Sequence, residues 1–330
     1  MNDEQSSAGR IDVHAHHLAP PYVRALQAAE MWLLGGIPIP EWSPELALQF
    51  MDAHGIAVQM LSVSDPGVEF VAEEQAPVLA RECNDHVAGV IREHPGPFGA
   101  FAVLSMRAVD DARKEAVRAL DELRLDGVGL LSSYGGRYPG DPAFTGLLND
   151  LDARGAWVMV HPAAVAAEHR PSLSLPDFLA EFPFDTTRAF ISLLVNGVFH
   201  THPNIRWHFA HGGGTLPMLR ARLSAASAAA REFGPALGLP EGARLLGPDS
   251  AERALEASFF DTALIADAPA LGAVAGVTAA GHVLFGSDWP FAARMFGPGG
   301  DPQPALSEVF SEHERRGVER ENALAQLGPR

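Results

Sequence analysis

Residues 10–17 read RIDVHAHH, a short apolar run that ends in three histidines within four positions. In an extended strand alternate side chains point to the same side, so His14 and His16 share one side and Ala15 points to the other. By the same alternation, His17 faces away from the pair. Two imidazoles side by side at the end of a buried strand can share one metal ion, because neutral nitrogen donors suit zinc.

Similar apolar runs recur along the rest of the chain. Nearly continuous hydrophobicity is typical of strands buried on both faces, and helical patterns separate these runs. Eight strand–helix repeats predict a parallel (β/α)8 TIM barrel. No glycine-rich phosphate turn follows the first strand, which weakens the alternative of an open doubly wound sheet. The predicted strands are residues 10–13, 58–63, 98–104, 127–131, 157–160, 205–210, 259–262 and 282–285.

The connections between the strands carry helix signals and two long segments. The stretch SPELALQFMDAHGI predicts a helix with Ser43 as its N-cap, Pro44 at its first position and Gly55 as its stop. Residues 18–42, after the first strand, contain several prolines and a glycine pair. We predict an inserted lid segment there, and residues 169–183 are a second long connection of this kind.

The composition limits the class of protein. The chain has 330 residues, 47% of them apolar, which suits one barrel domain spanning residues 1–330. The net charge of −17 argues against a nucleic-acid partner and against an anionic membrane surface. Cys83 is the only cysteine, which excludes a disulfide framework. Because the sequence shows no signal-type segment and no bilayer-length apolar run, we expect a cytoplasmic protein without a membrane partner.

Polar residues collect at the predicted carboxyl ends of the strands, where parallel barrels build their active sites. His161 ends the fifth strand in WVMVHP, His211 follows the sixth in IRWHFAHGGG, and Asp288 follows the eighth in VLFGSDWPF. These ends converge with His14 and His16 at one mouth. A single histidine among the 14 is more often a hydrogen-bonded core or surface residue than a ligand. The joint pattern, however, predicts a site for a divalent metal.

The motifs DVHAHH, VHP, HFAHGGG and FGSDWPF resemble those of the amidohydrolase superfamily, in order and over nearly the whole chain. They are most similar to its branch of metal-dependent decarboxylases, which includes aminocarboxymuconate-semialdehyde decarboxylase and the hydroxybenzoate decarboxylases. The stretches LPDFLAEFPFDTTRA and AHGGGTLPMLRAR resemble 6-methylsalicylate-type decarboxylases. The resemblance implies a metal-dependent, non-oxidative carboxy-lyase that acts on a small aromatic acid, an ortho-hydroxybenzoate or a 6-methylsalicylate-like compound.

The resemblance also implies roles for individual residues. It implies His14, His16, His161 and Asp288 as the metal ligands, with Zn²⁺ favoured by the ligand types and Mn²⁺ as the alternative. It implies Asp288 as the group that protonates the ring carbon, with His211 orienting it or relaying the proton. The predicted fourth strand reads GVGLLSSY without the bridging lysine of the binuclear branches, which favours one metal ion.

Four residues are candidate substrate contacts. Arg222 matches an arginine that reaches a neighbouring subunit's active site in some relatives, which implies a homodimer or a higher homo-oligomer. A solvated helix residue is the alternative for Arg222. Trp42, Phe184 and Phe291 are candidate aromatic walls of the substrate pocket. Each of these aromatic residues could equally be part of the hydrophobic core, which is the more common role. The segment GGIPIPEWSPE lacks the carboxylate-binding arginine of the muconate-semialdehyde enzymes, which argues against their substrate.

Two other classes of function stay open on the sequence alone. The same metal, water and His–Asp set could act as a hydrolase on an amide or a lactone, or as a hydratase on an unsaturated diacid. A binding protein could keep the barrel without turnover, but such a protein is expected to lose ligands, and this chain keeps them. Release of carbon dioxide without net use of water distinguishes the decarboxylase from the hydrolase.

Overall fold

The computed structural model describes residues 9–165, 173–236, 238–296 and 300–327. Eight parallel strands form one sheet in chain order, as the sequence predicts, and a separate pair of short strands forms a hairpin. The ten strands are β1 (Arg10–His16), β2 (Leu33–Leu34), β3 (Ile37–Pro38), β4 (Ile56–Ser62), β5 (Phe98–Val103), β6 (Gly127–Leu131), β7 (Trp157–His161), β8 (Arg206–Phe209), β9 (Phe259–Asp261) and β10 (Val283–Leu284).

Helices alternate with the barrel strands along the chain. None of the helices in the described ranges has the length and hydrophobicity that a bilayer-crossing helix needs. The helices are α1 (Pro20–Ala28), α2 (Pro44–His54), α3 (Ala76–Glu93), α4 (Val109–Asp121), α5 (Thr145–Asp152), α6 (Asp177–Val195), α7 (Val198–Thr201), α8 (Leu216–Phe233), α9 (Ser250–Ala257), α10 (Ala268–Ala275), α11 (Ala293–Phe296), α12 (Leu306–Val309), α13 (Glu312–Arg316) and α14 (Asn322–Leu324).

Helix α2 begins and ends where its sequence predicts. The side chain of Ser43 accepts a hydrogen bond from the backbone N–H of Leu46 at 3.2 Å and caps the helix. Gly55 ends it in the left-handed conformation, with φ of 62°. In the second long connection, residues 169–183, the first four residues lie outside the described residues. Its later part, from Asp177, belongs to α6.

The barrel closes between its first and last strands. The backbone N–H of Val13 donates to the carbonyl of Phe285 at 2.9 Å, and that of Asp288 donates to the carbonyl of His14 at 2.8 Å. Strand β1 also runs three residues beyond the predicted end at Val13 and carries both histidines. The difference arises because buried polar side chains can continue a strand when they are hydrogen-bonded, a condition that hydrophobicity does not reveal.

Apolar side chains fill the barrel towards the amino-terminal ends of the strands. The rings of Phe101 on β5 and Trp157 on β7 meet edge to face, with their centroids 5.0 Å apart. Gly127 on the intervening strand leaves room for them, since a Cβ atom there would lie 2.9 Å from the Phe101 ring. The packed layer leaves the carboxyl ends of the strands as the place for a site.

The predicted lid segment, residues 18–42, folds into α1 and the β2–β3 hairpin. Gly35 and Gly36 form the hairpin turn with φ of 56° and 85°, values that favour glycine. A Cβ atom at Gly36 would lie 2.8 Å from the Cα of Pro176. The hairpin therefore lies against the start of α6, while its action as a lid stays a prediction.

Candidate active site

Four buried side chains bring metal-binding atoms together at the carboxyl ends of the strands. His14 and His16 lie on β1, His161 ends β7, and Asp288 follows β10. One ligand atom from each residue lies within 4.8 Å of the others. The structure thus assembles the predicted ligand set, and three imidazole nitrogens with one carboxylate oxygen form a metal-binding site.

Hydrogen bonds on the outer nitrogens of His14 and His161 orient both imidazoles. The Nδ1 of His14 lies 2.9 Å from a carboxylate oxygen of Asp261, and the Nδ1 of His161 lies 2.8 Å from the carbonyl oxygen of Pro162. These oxygens only accept hydrogen bonds, so each Nδ1 carries the proton and each Nε2 keeps a free electron pair. Among the described residues, the Nε2 of His14 is buried without a hydrogen-bond partner, as expected of a nitrogen that binds a metal.

His16 presents its Nε2 in the same way. The Ser62 hydroxyl donates to the carbonyl of Ala15 at 3.1 Å, so it accepts the hydrogen bond from the Nδ1 of His16 at 2.9 Å. The Nε2 of His16 then lies 2.9 Å from Oδ1 of Asp288. An unprotonated nitrogen and a carboxylate oxygen repel each other at this distance unless a cation is shared between them. The contact therefore fits a bound metal ion.

Burial keeps two of the ligand histidines neutral. Burial lowers the pKa of His14, although the charge of Asp261 opposes the change. Burial, followed by the neighbouring imidazoles of His16 and His14, lowers the pKa of His161 well below its usual value. Neutral imidazole is the form that binds a metal, so protons compete weakly for these ligands near neutral pH.

His211 faces Asp288 without joining the four ligands. Its Nε2 lies 3.6 Å from Oδ2 of Asp288. Burial acts to lower the pKa of His211, but the neighbouring carboxylate of Asp288 raises it above its usual value. Burial acts to raise the pKa of Asp288, but the imidazoles of His16 and His211 lower it well below its usual range. The charge of the Asp288 carboxylate therefore favours the protonated form of the His211 imidazole.

Both members of this pair have left-handed backbone conformations, with φ of 54° at His211 and 55° at Asp288. Residues with a Cβ atom rarely adopt this region, and exceptions concentrate at functional sites. The three glycines after His211 complete a sharp turn, with φ of 62°, 74° and 66°. A Cβ atom at Gly214 would lie 2.0 Å from the carbonyl oxygen of Pro183, so the turn packs directly on α6.

Asp261 is the main site residue that the sequence interpretation missed. Besides His14, it accepts hydrogen bonds from the ring of His208 at 2.8 Å and from the backbone N–H groups of His211 and Ala263, both at 3.0 Å. Burial acts to raise its pKa, but His14 and His208 lower it below the usual range. His208 thus connects to the metal ligand His14 through this carboxylate. The sequence feature that could have identified Asp261 is its position as an ionisable residue at the end of the apolar strand β9.

A second buried carboxylate ties β1 to the loop that carries Asp288. Asp12 accepts hydrogen bonds from the hydroxyl of Ser287 at 2.6 Å, its backbone N–H at 3.0 Å, and the amide of Gln59 at 3.1 Å. Burial raises the pKa of Asp12 to about 7, although these hydrogen bonds act against it. The Ser287 hydroxyl also accepts from the backbone N–H of Trp289 at 3.1 Å, so both sides of Asp288 are fixed.

A narrow cavity opens beside the metal-binding site. Phe291, one of the predicted aromatic walls, lines it, with its ring centroid 5.5 Å from that of His16. Neither Lys nor Arg lines the cavity among the described residues. The described residues that line it are Leu34, Gly35, Ile37, Ser64, His161, Phe178, Phe182, His211, Leu264, Asp288, Phe291, Ala292 and Met295.

The structure does not bring the other three candidate substrate contacts into this cavity. Trp42 instead packs against His17, with ring centroids 5.8 Å apart. Phe184 is 49% exposed, and Phe182, two residues earlier on α6, faces the cavity. The helix starts before Pro183, and its phase turns Phe182 inward. Arg222 is exposed on α8.

Comparison with known proteins agrees with this geometry. A decarboxylase of Aspergillus niger is 33% identical over 86% of this chain and 77% of its own. A 6-methylsalicylic acid decarboxylase of Penicillium expansum is 36% identical over 86% of this chain and 85% of its own. The crystal structure of a 5-carboxyvanillate decarboxylase from Sphingomonas paucimobilis has the same fold, with a TM-score of 0.82 and 21% identity over 97% of this chain and 99% of its own. The amidohydrolase family model matches residues 11–328, and the chain belongs to this family.

Proposed function

We propose that this protein is a metal-dependent, non-oxidative decarboxylase of a small aromatic acid, an ortho-hydroxybenzoate of the 6-methylsalicylate type. The observation that carries the proposal is the four-ligand site with its His211–Asp288 pair, which opens into a small apolar cavity. Similarity to the 6-methylsalicylic acid decarboxylase of Penicillium expansum supports the same reaction.

His14, His16, His161 and Asp288 would hold one divalent metal ion. Three imidazoles that present Nε2, with one carboxylate, favour Zn²⁺, and Mn²⁺ is the alternative. When bound, the metal supplies Lewis-acid charge for a carboxylate and a neighbouring phenol oxygen. Metal analysis of the purified protein decides between the two ions.

The chain's own residues supply the proton for the reaction. We assign protonation of the ring carbon that carries the carboxylate to Asp288, with the proton relayed from His211. Protonating this carbon before the carbon–carbon bond breaks avoids an unstable aryl carbanion. The largely apolar walls exclude water from the ring, which disfavours hydrolysis. A hydratase of an unsaturated diacid would need a second cationic group, and the described cavity lining contains no Lys or Arg.

The cavity wall predicts the order of substrate preference. Leu34, Ile37 and Met295 give it an aliphatic side, against which a ring methyl group can be buried. A second ring hydroxyl there would be buried without a hydrogen-bond partner, which costs about 1–3 kcal/mol. We therefore expect kcat/KM for 6-methylsalicylate to exceed that for 2,6-dihydroxybenzoate by about tenfold or more, measured as carbon dioxide release.

Two adjacent hairpin residues give a matched pair of variants for this preference. Leu34 is 4% exposed and lines the cavity, whereas Leu33 is 55% exposed. Leu34→Ser should reduce the preference for the methyl compound at least about threefold, and Leu33→Ser should leave it unchanged. A wild-type protein that prefers the dihydroxy acid would contradict the assignment of the aliphatic wall.

We also propose a homodimer in which Arg222 completes the neighbouring subunit's site. This proposal rests on the family resemblance, and two observations support it: Arg222 is exposed on α8, and neither Lys nor Arg appears in the described lining of the cavity. Mixing Arg222→Ala protein with His211→Ala protein should then restore about a quarter of wild-type activity, because each hybrid dimer regains one complete site. Full activity of Arg222→Ala alone would make the arginine an ordinary surface residue.

The composition supports two further expectations. The lone cysteine, Cys83, is buried and free, which suits a reducing compartment such as the cytoplasm. The length suits one barrel domain over residues 1–330. Fractionation of cells that express the protein, and limited proteolysis of the purified chain, test them.

A further inference from the structure

Helix α6 carries a fully buried carboxylate that the proposed mechanism does not use. Asp185 accepts hydrogen bonds from the hydroxyls of Ser132 at 2.5 Å, Ser133 at 2.9 Å and Tyr138 at 2.8 Å. Arg188, on the same helix, lies 3.4 Å away. Because a carboxylate only accepts, each of the three hydroxyls must point its proton at Asp185. The carboxylate therefore fixes the orientation of all three hydroxyls.

Of the three hydroxyl residues, Ser132 alone bonds to the metal-binding segment, residues 161–163, in the part of the chain that the structure describes. The Ser132 hydroxyl, its proton directed at Asp185, accepts a hydrogen bond from the backbone N–H of Ala163 at 2.7 Å. The backbone N–H of Ser132 donates to the carbonyl of His161, also at 2.7 Å. Ser132 thus holds the chain on both sides of Pro162. The carbonyl of Pro162 lies between these two points, and it orients the imidazole of His161.

We infer that Asp185 and Ser132 are positioning residues for the metal ligand His161. Asp185 fixes the Ser132 hydroxyl, and Ser132 fixes the main chain at residues 161–163, so that the Nε2 of His161 points at the other ligands. Ser133 bonds the same carboxylate oxygen as Ser132, yet no hydrogen bond joins it to this segment in the described structure. Helix α6 also carries Phe182, so Asp185 connects the wall of the substrate cavity to the metal-binding segment.

The test compares Ser132→Ala with Ser133→Ala, since each variant removes one hydroxyl from the same oxygen of Asp185. Zinc affinity is measured by competition with a chelator, and the visible spectrum of the Co²⁺-loaded protein reports the ligand geometry. Ser132→Ala should weaken zinc binding by about tenfold or more and change the Co²⁺ spectrum, as loss of an outer partner of a metal ligand does. The zinc affinity of Ser133→Ala should stay within about threefold of the wild-type affinity, and its Co²⁺ spectrum should be unchanged.

Equal losses of zinc affinity in the two serine variants would overturn the inference and leave Asp185 a structural anchor. If Ser132→Ala does not fold, Asp185→Asn takes its place, with Tyr138→Phe as its control. Asp185→Asn must then weaken zinc binding more than Tyr138→Phe does, and equal effects again overturn the inference.

The inference rests on the metal site of the proposed function, but its readout is metal affinity. A wild-type protein that binds zinc and releases no carbon dioxide would contradict the proposed reaction and leave the roles of Ser132 and Asp185 intact. A wild-type protein without a saturable metal site would contradict both.

Discussion

The His16→Ala variant is expected to lose its metal ion and its activity together. The substitution removes one of four ligand atoms and leaves the Asp288 carboxylate without the imidazole that lies 2.9 Å from it. Loss of an outer partner of a ligand already weakens metal binding 10–100-fold, so loss of the ligand should weaken it by more than about 100-fold. Metal analysis after gel filtration, together with carbon dioxide release, measures both effects.

The adjacent histidine provides the matched control. His17 is also buried, but it lies against His86 and Trp42, away from the four ligands. His17→Ala should therefore retain one metal ion per chain, whatever stability the lost packing removes. Stoichiometric metal in His16→Ala, or its loss from His17→Ala, would contradict the assignment of ligands.

The His211→Ala variant should keep the metal and lose turnover. All four ligand atoms remain in place, because none of them belongs to His211, whose ring lies beside that of His14 with the centroids 4.7 Å apart. What the variant removes is the imidazole to which we assign the proton relay. A positioned proton donor typically contributes about 10²–10⁴-fold to a rate, and kcat should fall by that factor.

Metal content and kcat separate this role from that of a ligand. If His211→Ala released the metal, and excess zinc then restored its activity, His211 would be a ligand and the division of labour would be wrong. A variant that retains both metal and wild-type kcat would remove His211 from the reaction altogether.

The fold and the metal ligands could be predicted because both follow from simple patterns. Continuous apolar runs separated by helical stretches fit a parallel barrel, and the carboxyl ends of barrel strands converge. His161 and Asp288 are far apart in sequence, yet both follow apolar strands, so the rule places them together. Because alternate side chains of a strand point to the same side, His14 and His16 also lie together.

The residues that support the ligands could not be predicted in this way. Asp12, Ser62 and Asp261 are buried polar residues on strands, and an apolar pattern does not say which polar side chain faces a histidine across the barrel. Their hydrogen-bond partners can be identified only once the pairing of the strands is known.

Phe184, one of the candidate aromatic walls, lies outside the cavity because of the phase of its helix. The sequence suggests a loop up to Pro183, whereas α6 begins at Asp177 and continues through the proline. Because residues 177–183 are helical, Phe182 faces the cavity and Phe184 faces outward.

Isotope labelling during turnover distinguishes decarboxylation from hydrolysis. Metal-loaded protein would be incubated with 6-methylsalicylate in D₂O, and separately in ¹⁸O-labelled water. We expect one carbon dioxide per substrate, with a 3-methylphenol product that carries one deuterium at the carbon that lost the carboxylate and no ¹⁸O. Consumption of the acid with ¹⁸O incorporated into the product and no carbon dioxide would contradict decarboxylation and favour the hydrolytic alternative.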